Sequence, residues 1–161
     1  MSNVKPDITL ARPADARAIA ALRTAVAQHM TAQYGEGHWS AIPSRAEVIR
    51  QMRASQVLVA RLDGQLVGTV RLATVNAHSM KSAGFTPVSS ALYVVGLAVA
   101  IEYSRMGIGR ALLEAAKDVA HSRRAAALWV DTYAGAAGAG PFYLRCGFRR
   151  VGTLYYEWLA D

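Results

Sequence analysis

A single cysteine, Cys146, stands in the 161-residue chain. One thiol makes neither an internal disulfide nor a cysteine zinc cluster. Long apolar runs are missing as well. The longest, Ala91 to Ile101, has 11 residues, against roughly 20 for a bilayer-spanning helix. The first ten residues, MSNVKPDITL, hold no apolar segment of the kind a secretory leader uses. Lysine is scarce: only Lys5, Lys81 and Lys117 stand among 18 basic residues. No repeat, long linker or block of like charge interrupts the sequence. These absences argue against a disulfide scaffold, a helical membrane protein and a basic nucleic-acid tail. The expectation is one soluble, cytoplasmic domain over residues 1–161.

What is present fits a packed globule. Hydrophobic residues make up 53% and charged residues 18% of the chain, too apolar a balance for disorder. A domain of this length buries roughly 70% of the surface its unfolded chain exposes. The formal charge is +7, spread as +2, +3 and +2 over residues 1–50, 51–100 and 101–161. Most of the excess is arginine, whose planar fork suits phosphate and carboxylate. An even excess fits a polyanionic small ligand, acidic partners, weak nucleic-acid affinity or plain solubility.

The hydrophobic pattern divides the chain into short elements. Ile8 to Arg12 reads as a strand, and Pro13 and Asp15 open a helix carrying Ile19, Leu22, Val26 and Met30 at helical spacing. Tyr34 to Trp39 reads as a loop. Ser44 and Glu47 have capping-box spacing ahead of Val48, Ile49 and Met52. Val57 to Leu62 and Gln65 to Ala73 flank Asp63-Gly64, a pair suited to a type I′ hairpin turn. Residues 74–90 form a small, polar connection. Leu92 to Val99 is a nearly continuous apolar run, the mark of a strand covered on both faces. A helix from Gly107 to His121, a strand from Ala126 to Asp131 and a short helix over Pro141 to Arg145 follow. Phe148 to Val151 and Leu154 to Leu159 close the chain as strands. Helices interrupting a mixed sheet give an α/β or α+β class with a central parallel pair.

Chemistry concentrates where Gly96-Leu97-Ala98-Val99 runs towards Ser104-Arg105-Met106-Gly107-Ile108-Gly109-Arg110. A strand leading through a glycine turn into a helix points unpaired amides and the helix dipole at one spot, favouring phosphate. Arg105 and Arg110 add charge there, and no acid lies between Met106 and Leu113. The glycines keep side chains from blocking an approach to the backbone, although a turn that merely packs helix on sheet would look the same. A P-loop would need Gly-x-x-x-x-Gly-Lys-Ser/Thr, which is absent. A dinucleotide fingerprint needs a third glycine where Leu112 stands, and only one crossover unit is present.

These residues resemble the GNAT acyltransferase superfamily over nearly the whole chain. Its pyrophosphate loop, Gln/Arg-x-x-Gly-x-Gly/Ala after a Leu-x-Val strand end, is matched by Leu97-Ala98-Val99 and Ser104 to Gly109. Ser104 departs from the usual Gln or Arg. A later family pattern is matched by Ala139-Gly140-Pro141-Phe142-Tyr143 and Gly147-Phe148, with Ala136 where an asparagine is common. The resemblance implies a mixed sheet of 6–7 strands with about four helices, strands 4 and 5 being parallel and splayed. It implies acetyl-CoA as co-substrate and direct acetyl transfer to a primary amine of a small molecule or a peptide. Pantetheine would pair with Leu97 to Val99, and the pyrophosphate would rest on amides of Arg105, Met106, Gly107, Ile108, Gly109 and Arg110.

The chemistry then needs a neutral amine, donors for the developing oxyanion and a proton for the departing thiolate. An amide near Ala98 or Val99 fits the oxyanion, and Tyr143 matches the family's acid, although a packed tyrosine would sit there too. Asp131 is the expected base, on a strand face with Trp129 and Tyr133, or else a partner for an arginine. Glu102, Glu36 and His78 stand behind it. His29, His38 and His121 read as ordinary surface or loop residues, Cys146 as a packed small side chain, and no spacing suggests a metal. Acceptor selection would fall to Tyr34–Trp39, residues 74–90 and the C-terminal strands, with Tyr93, Tyr155, Tyr156 and Trp158 as lining or support. The short Gly152-Thr153 connection would open the acceptor groove or present a homodimer surface. The rival functions are a non-catalytic acyl-CoA-binding regulatory module and a nucleic-acid-binding domain. No recognised motif supports the latter, and neither nucleic acid nor membrane is an expected partner.

Overall fold

The computed structural model describes residues 4–74 and 90–153. Strand β1 (Asp7–Leu10) leads through a 3-10 turn at Pro13–Asp15 into helix α1 (Ala16–Tyr34), followed by α2 (Arg45–Ala54). Strands β2 (Gln56–Leu62), β3 (Gln65–Ala73) and β4 (Ala91–Val99) come next, then α3 (Ile108–Ser122), β5 (Ala127–Val130) and α4 (Gly140–Arg145). The five strands lie in sequence order in one sheet, antiparallel except for the parallel β4–β5 pair.

Local chemistry accounts for most boundaries. Ser44 Oγ accepts the Glu47 amide at 3.1 Å and starts α2. Asp63 and Gly64 both take positive φ, 48° and 79°, which closes the tight hairpin. Helix α3 begins on Gly107, held at φ 85°, a conformation costly for any residue with a Cβ.

Each sheet face has its own core. On one side Leu58, Ala60, Val70, Leu72 and Val94 meet Ile108, Leu112, Leu113 and Ala116 of α3, with Cys146 buried among them. Gly68 allows the close fit, since a Cβ there would lie 3.0 Å from the side chains of Ile108 and Leu112. On the other side Val57 and Val59 pack under Ala16 and Ile19 of α1 and Val48 of α2. Cys146 is therefore a packed thiol, as its lone place in the sequence suggested.

Three expectations change. The first strand is Asp7–Leu10 rather than Ile8 to Arg12. Five strands form among the described residues, not six or seven. Phe148 to Val151 form no strand. The Phe148 amide is already committed to Tyr143 O at 3.1 Å, closing α4 rather than joining a ladder. Leu154 to Leu159, with Tyr155, Tyr156 and Trp158, lies outside the described residues, as do His78 and most of the 74–90 connection.

Two irregularities in β4 prepare the site. Thr69 faces Ala98 and Arg71 faces Val95, so two steps on β3 match three on β4. The extra residue makes a bulge, and Gly96 sits in it at φ 64°. Pairing with β5 covers only Ala91 to Val94. The outer half of β4, residues 95–99, has no β5 partner among the described residues, so strands four and five part beyond Val94.

Candidate active site

Backbone alternation settles what the free half of β4 offers. Ala100 N–H donates to Val67 O at 2.9 Å, beside the Val99–Gly68 pair. Groups along a strand alternate in direction, so Ala98 turns its amide towards β3. Val99 turns its amide to the side where β5 has ended, and Leu97 lies beside Gly96 in the bulge. A polar edge is thus open at Val99 among the described residues. Ala98 is not its donor.

The chain turns from this edge into the start of α3. Ser104 N–H closes the 3-10 turn Ile101–Tyr103 at 3.1 Å, and its side chain is exposed. Arg105, also exposed, takes φ 61°, a left-handed conformation costing about 1 kcal/mol or more for a non-glycine residue. The first backbone bond of α3 is Ala111 N–H to Gly107 O, 3.0 Å. The amides of Ile108, Gly109 and Arg110 precede it, and no side chain caps the helix. Ile108 is 1% exposed, so it presents only backbone outwards. Gly109 has a packing reason besides the one expected: a Cβ there would lie 3.1 Å from the Phe142 ring, so it also admits α4. Arg110 reaches the same helix, donating to Arg145 O at 3.1 Å.

Helix α4 carries Tyr143. The clamp on its C-terminal end comes from α3, where Arg110 holds Arg145 O and Lys117 donates to Cys146 O. The Lys117 ammonium also lies 5.6 Å over the Phe148 ring. Tyr143 is half-buried against Phe142 and Phe148, with centroids 5.4 and 5.8 Å away. Burial first, then the Asp131 charge and Cys146, push its phenol up to about 12. Its hydroxyl is thus a proton donor throughout the neutral range.

Asp131 lies one residue past the end of β5 and is exposed. It is therefore not on a strand face with Trp129 and Tyr133, and no apolar shell encloses it. It does stand near both tyrosines: burial first and Asp131 second raise the Tyr133 phenol as well. Glu36 and Glu102 are exposed, Glu102 in the 3-10 turn before Ser104.

Aromatic residues wall the opposite side. The α1–α2 connection folds around Trp39, whose indole N–H donates to Gly35 O at 2.9 Å. Gly37 is required there, since a Cβ would come within 2.6 Å of that ring. Tyr133 meets the Trp39 ring edge-on at 5.1 Å and lies parallel to His38 at 6.4 Å. His38 is thus part of this wall and half-buried, not an ordinary loop residue. Tyr93 is half-buried in β4, paired with Trp129 across the parallel ladder.

Sequence reasoning missed the arginine pair Arg23 and Arg71. With Thr69, Gln51 and the Gly96 bulge they line a narrow cleft between α1, α2 and the sheet. The available signals were an arginine inside an otherwise apolar strand and a glycine interrupting one.

A family model for the acetyltransferase (GNAT) family matches residues 23–148. The chain belongs to the GNAT acetyltransferase family. Solved structures agree on the fold. A ribosomal-protein-alanine N-acetyltransferase from Brucella melitensis biovar Abortus 2308 is 22% identical, with a TM-score of 0.69 over 96% of this chain and 99% of that one. A GCN5-related N-acetyltransferase from Rhodopseudomonas palustris is 24% identical, with a TM-score of 0.69 over 99% and 93%. AAC(6')-Iy, solved with the bisubstrate analogue CoA-S-monomethyl-acetylneamine, is 15% identical, with a TM-score of 0.72 over 98% and 100%. Within this GNAT frame, β4 parts from β5 beyond Val94, and the start of α3 packs against α4 through Gly109 and Arg110.

Proposed function

We propose that this protein transfers an acetyl group from acetyl-CoA directly to a primary amine, as one domain over residues 1–161 working in the cytoplasm. The observation that carries the reading is the continuous run of free backbone groups. The Leu97 to Val99 edge, without a β5 partner among the described residues, leads into the amides of Ile108, Gly109 and Arg110, with Tyr143 on the neighbouring α4. The edge supplies strand-like partners for an amide-bearing arm, and the helix start supplies donors and dipole for a pyrophosphate. Arg105, exposed at that turn, stands there despite a left-handed backbone, which favours an anion-binding role over a packing role.

In this reading the Leu97 amide faces the acetyl carbonyl and stabilises the charge that develops on its oxygen. The amine nitrogen attacks the carbonyl carbon, and the carbon–sulfur bond breaks. Tyr143 gives its proton to the departing sulfur, and Asp131, reached through solvent at the open end of β5, takes the proton lost by the amine. Ser104, in place of a longer side chain, leaves phosphate binding to backbone and Arg105. The similarity to AAC(6')-Iy, whose bound analogue joins CoA to an acetylated amine, supports this assignment.

The test is CoA release on incubation with acetyl-CoA and a panel of amines, with the acetylated product identified by mass. Turnover with at least one amine is expected. Saturable acetyl-CoA binding without turnover on any amine would favour a non-catalytic acyl-CoA-binding module instead.

A further inference from the structure

Resting on the transferase reading, we propose that the cleft holding Arg23 and Arg71 binds a carboxylate of the acceptor, so that the substrates are small amino acids.

The cleft is built around two guanidinium groups on the α1–α2 face of the sheet. Arg23 projects from α1 and Arg71 from β3, both half-buried, and both line it together with Thr69, Gln51 and Gly96. Arg23 donates to Gln51 Oε1 at 2.7 Å, and Arg71 reaches Ser55 Oγ at 3.5 Å. Each guanidinium carries five N–H donors, and the contacts within the described residues use one apiece. Gln51 in turn donates to Glu47 Oε1 at 3.4 Å, so its amide is fixed with the oxygen towards Arg23.

The charge does not balance within the described residues. The ion pairs there are Arg61–Asp15 and Lys117–Glu114, and neither includes Arg23 or Arg71. Among the described residues Glu47 acts on both at longer range and counters them. Burial first, and then Arg71, depress the Arg23 guanidinium. Two desolvated like charges sharing one distant carboxylate destabilise the fold, and an external anion relieves them. Two guanidinium forks lining one cleft have the chemistry that recognises a planar carboxylate.

Position ties the cleft to the reaction. Arg23 Cζ lies 3.8 Å from where a Gly96 Cβ would stand, and Gly96 itself is exposed. The adjacent residue, Leu97, is where the proposed function places the acetyl carbonyl. An anion in the cleft therefore sits one residue from the acetyl carbonyl, which limits the acceptor to an amine a few bonds from its carboxylate.

The probes are L-alanine, β-alanine and L-glutamate, with L-alaninamide and β-alaninamide as neutral controls. Each is titrated by calorimetry into the full chain saturated with CoA. At least one acid is expected to bind, and alanine or β-alanine about tenfold or more tightly than its own amide, the worth of one charge-assisted hydrogen bond. Arg71→Gln and Arg23→Gln should abolish that preference while leaving CoA affinity unchanged, which also shows that the variants are folded. Arg71→Lys, keeping the charge without the fork, should restore part of it. Amides binding as well as acids, no acid binding, or a preference that survives both glutamine variants would overturn the proposal. Failure of the transferase reading shows separately, as absence of CoA release with every amine.

Discussion

Replacing Tyr143 by Phe removes one oxygen and leaves the ring between Phe142 and Phe148. Among the described residues no hydrogen bond to that hydroxyl is present, so stability at neutral pH should change by less than about 1 kcal/mol. Turnover should fall far more, by roughly 10²–10⁴-fold, the range associated with a positioned general acid. The acetyl-CoA KM should hold, because the helix-start amides are untouched. A second signature follows from the phenol's displacement from an ordinary 10 to about 12. Between those values the folded protein holds a proton that the unfolded chain has lost. Stability contributed by the protonated phenol is complete below pH 10 and disappears as pH rises towards 12. Two pH units correspond to about 2–3 kcal/mol, and the variant should lack this component of the decline. The assays are CoA release from pH 7 to 10 and denaturant unfolding at several pH values from 9 to 12. Unchanged turnover in the variant would refute the acid role, and unfolding curves that fall in parallel would refute the buried donor.

Three further substitutions probe neighbouring links. Lys117→Met frees the Cys146 carbonyl that ends α4, so kcat should fall while acetyl-CoA affinity stays near wild type; titration calorimetry and CoA release separate the two. Arg105→Gly removes both a charge and a left-handed backbone cost of about 1 kcal/mol. Acetyl-CoA should bind more weakly with stability equal or slightly higher, and a loss in thermal unfolding would contradict this. Gly138→Ala places a Cβ 1.6 Å from Tyr133 O, so residues 132–140 must refold and both melting temperature and kcat should drop.

The order of elements from Pro13 to Arg145 was legible because each carries a local cause: Ser44 as a cap, Asp63-Gly64 as a turn, Gly107 as a helix start. The strand expected at Phe148 failed because local apolarity cannot reveal that its amide is bound to Tyr143 O. In the site, the Leu97-to-Arg110 run was readable as a motif, whereas the packing roles of Gly109 and Gly96 were not. Gly109 yields to the Phe142 ring, and Gly96 forms a bulge; both facts depend on partners far along the chain. Arg23 and Arg71 are 48 positions apart, and nothing local announces that one cleft unites them. Asp131 reads as a strand residue in sequence but falls just beyond β5, because pairing with β4 stops at Val94–Val130.

The central claim is that the free edge of β4 and the start of α3 hold acetyl-CoA for transfer. Its most direct measurement is a structure of the protein with acetyl-CoA. The account predicts the pantetheine arm paired with Leu97 and Val99, and the pyrophosphate on the amides of Ile108, Gly109 and Arg110. Acetyl-CoA bound elsewhere, or a protein side chain filling that helix start, would contradict it.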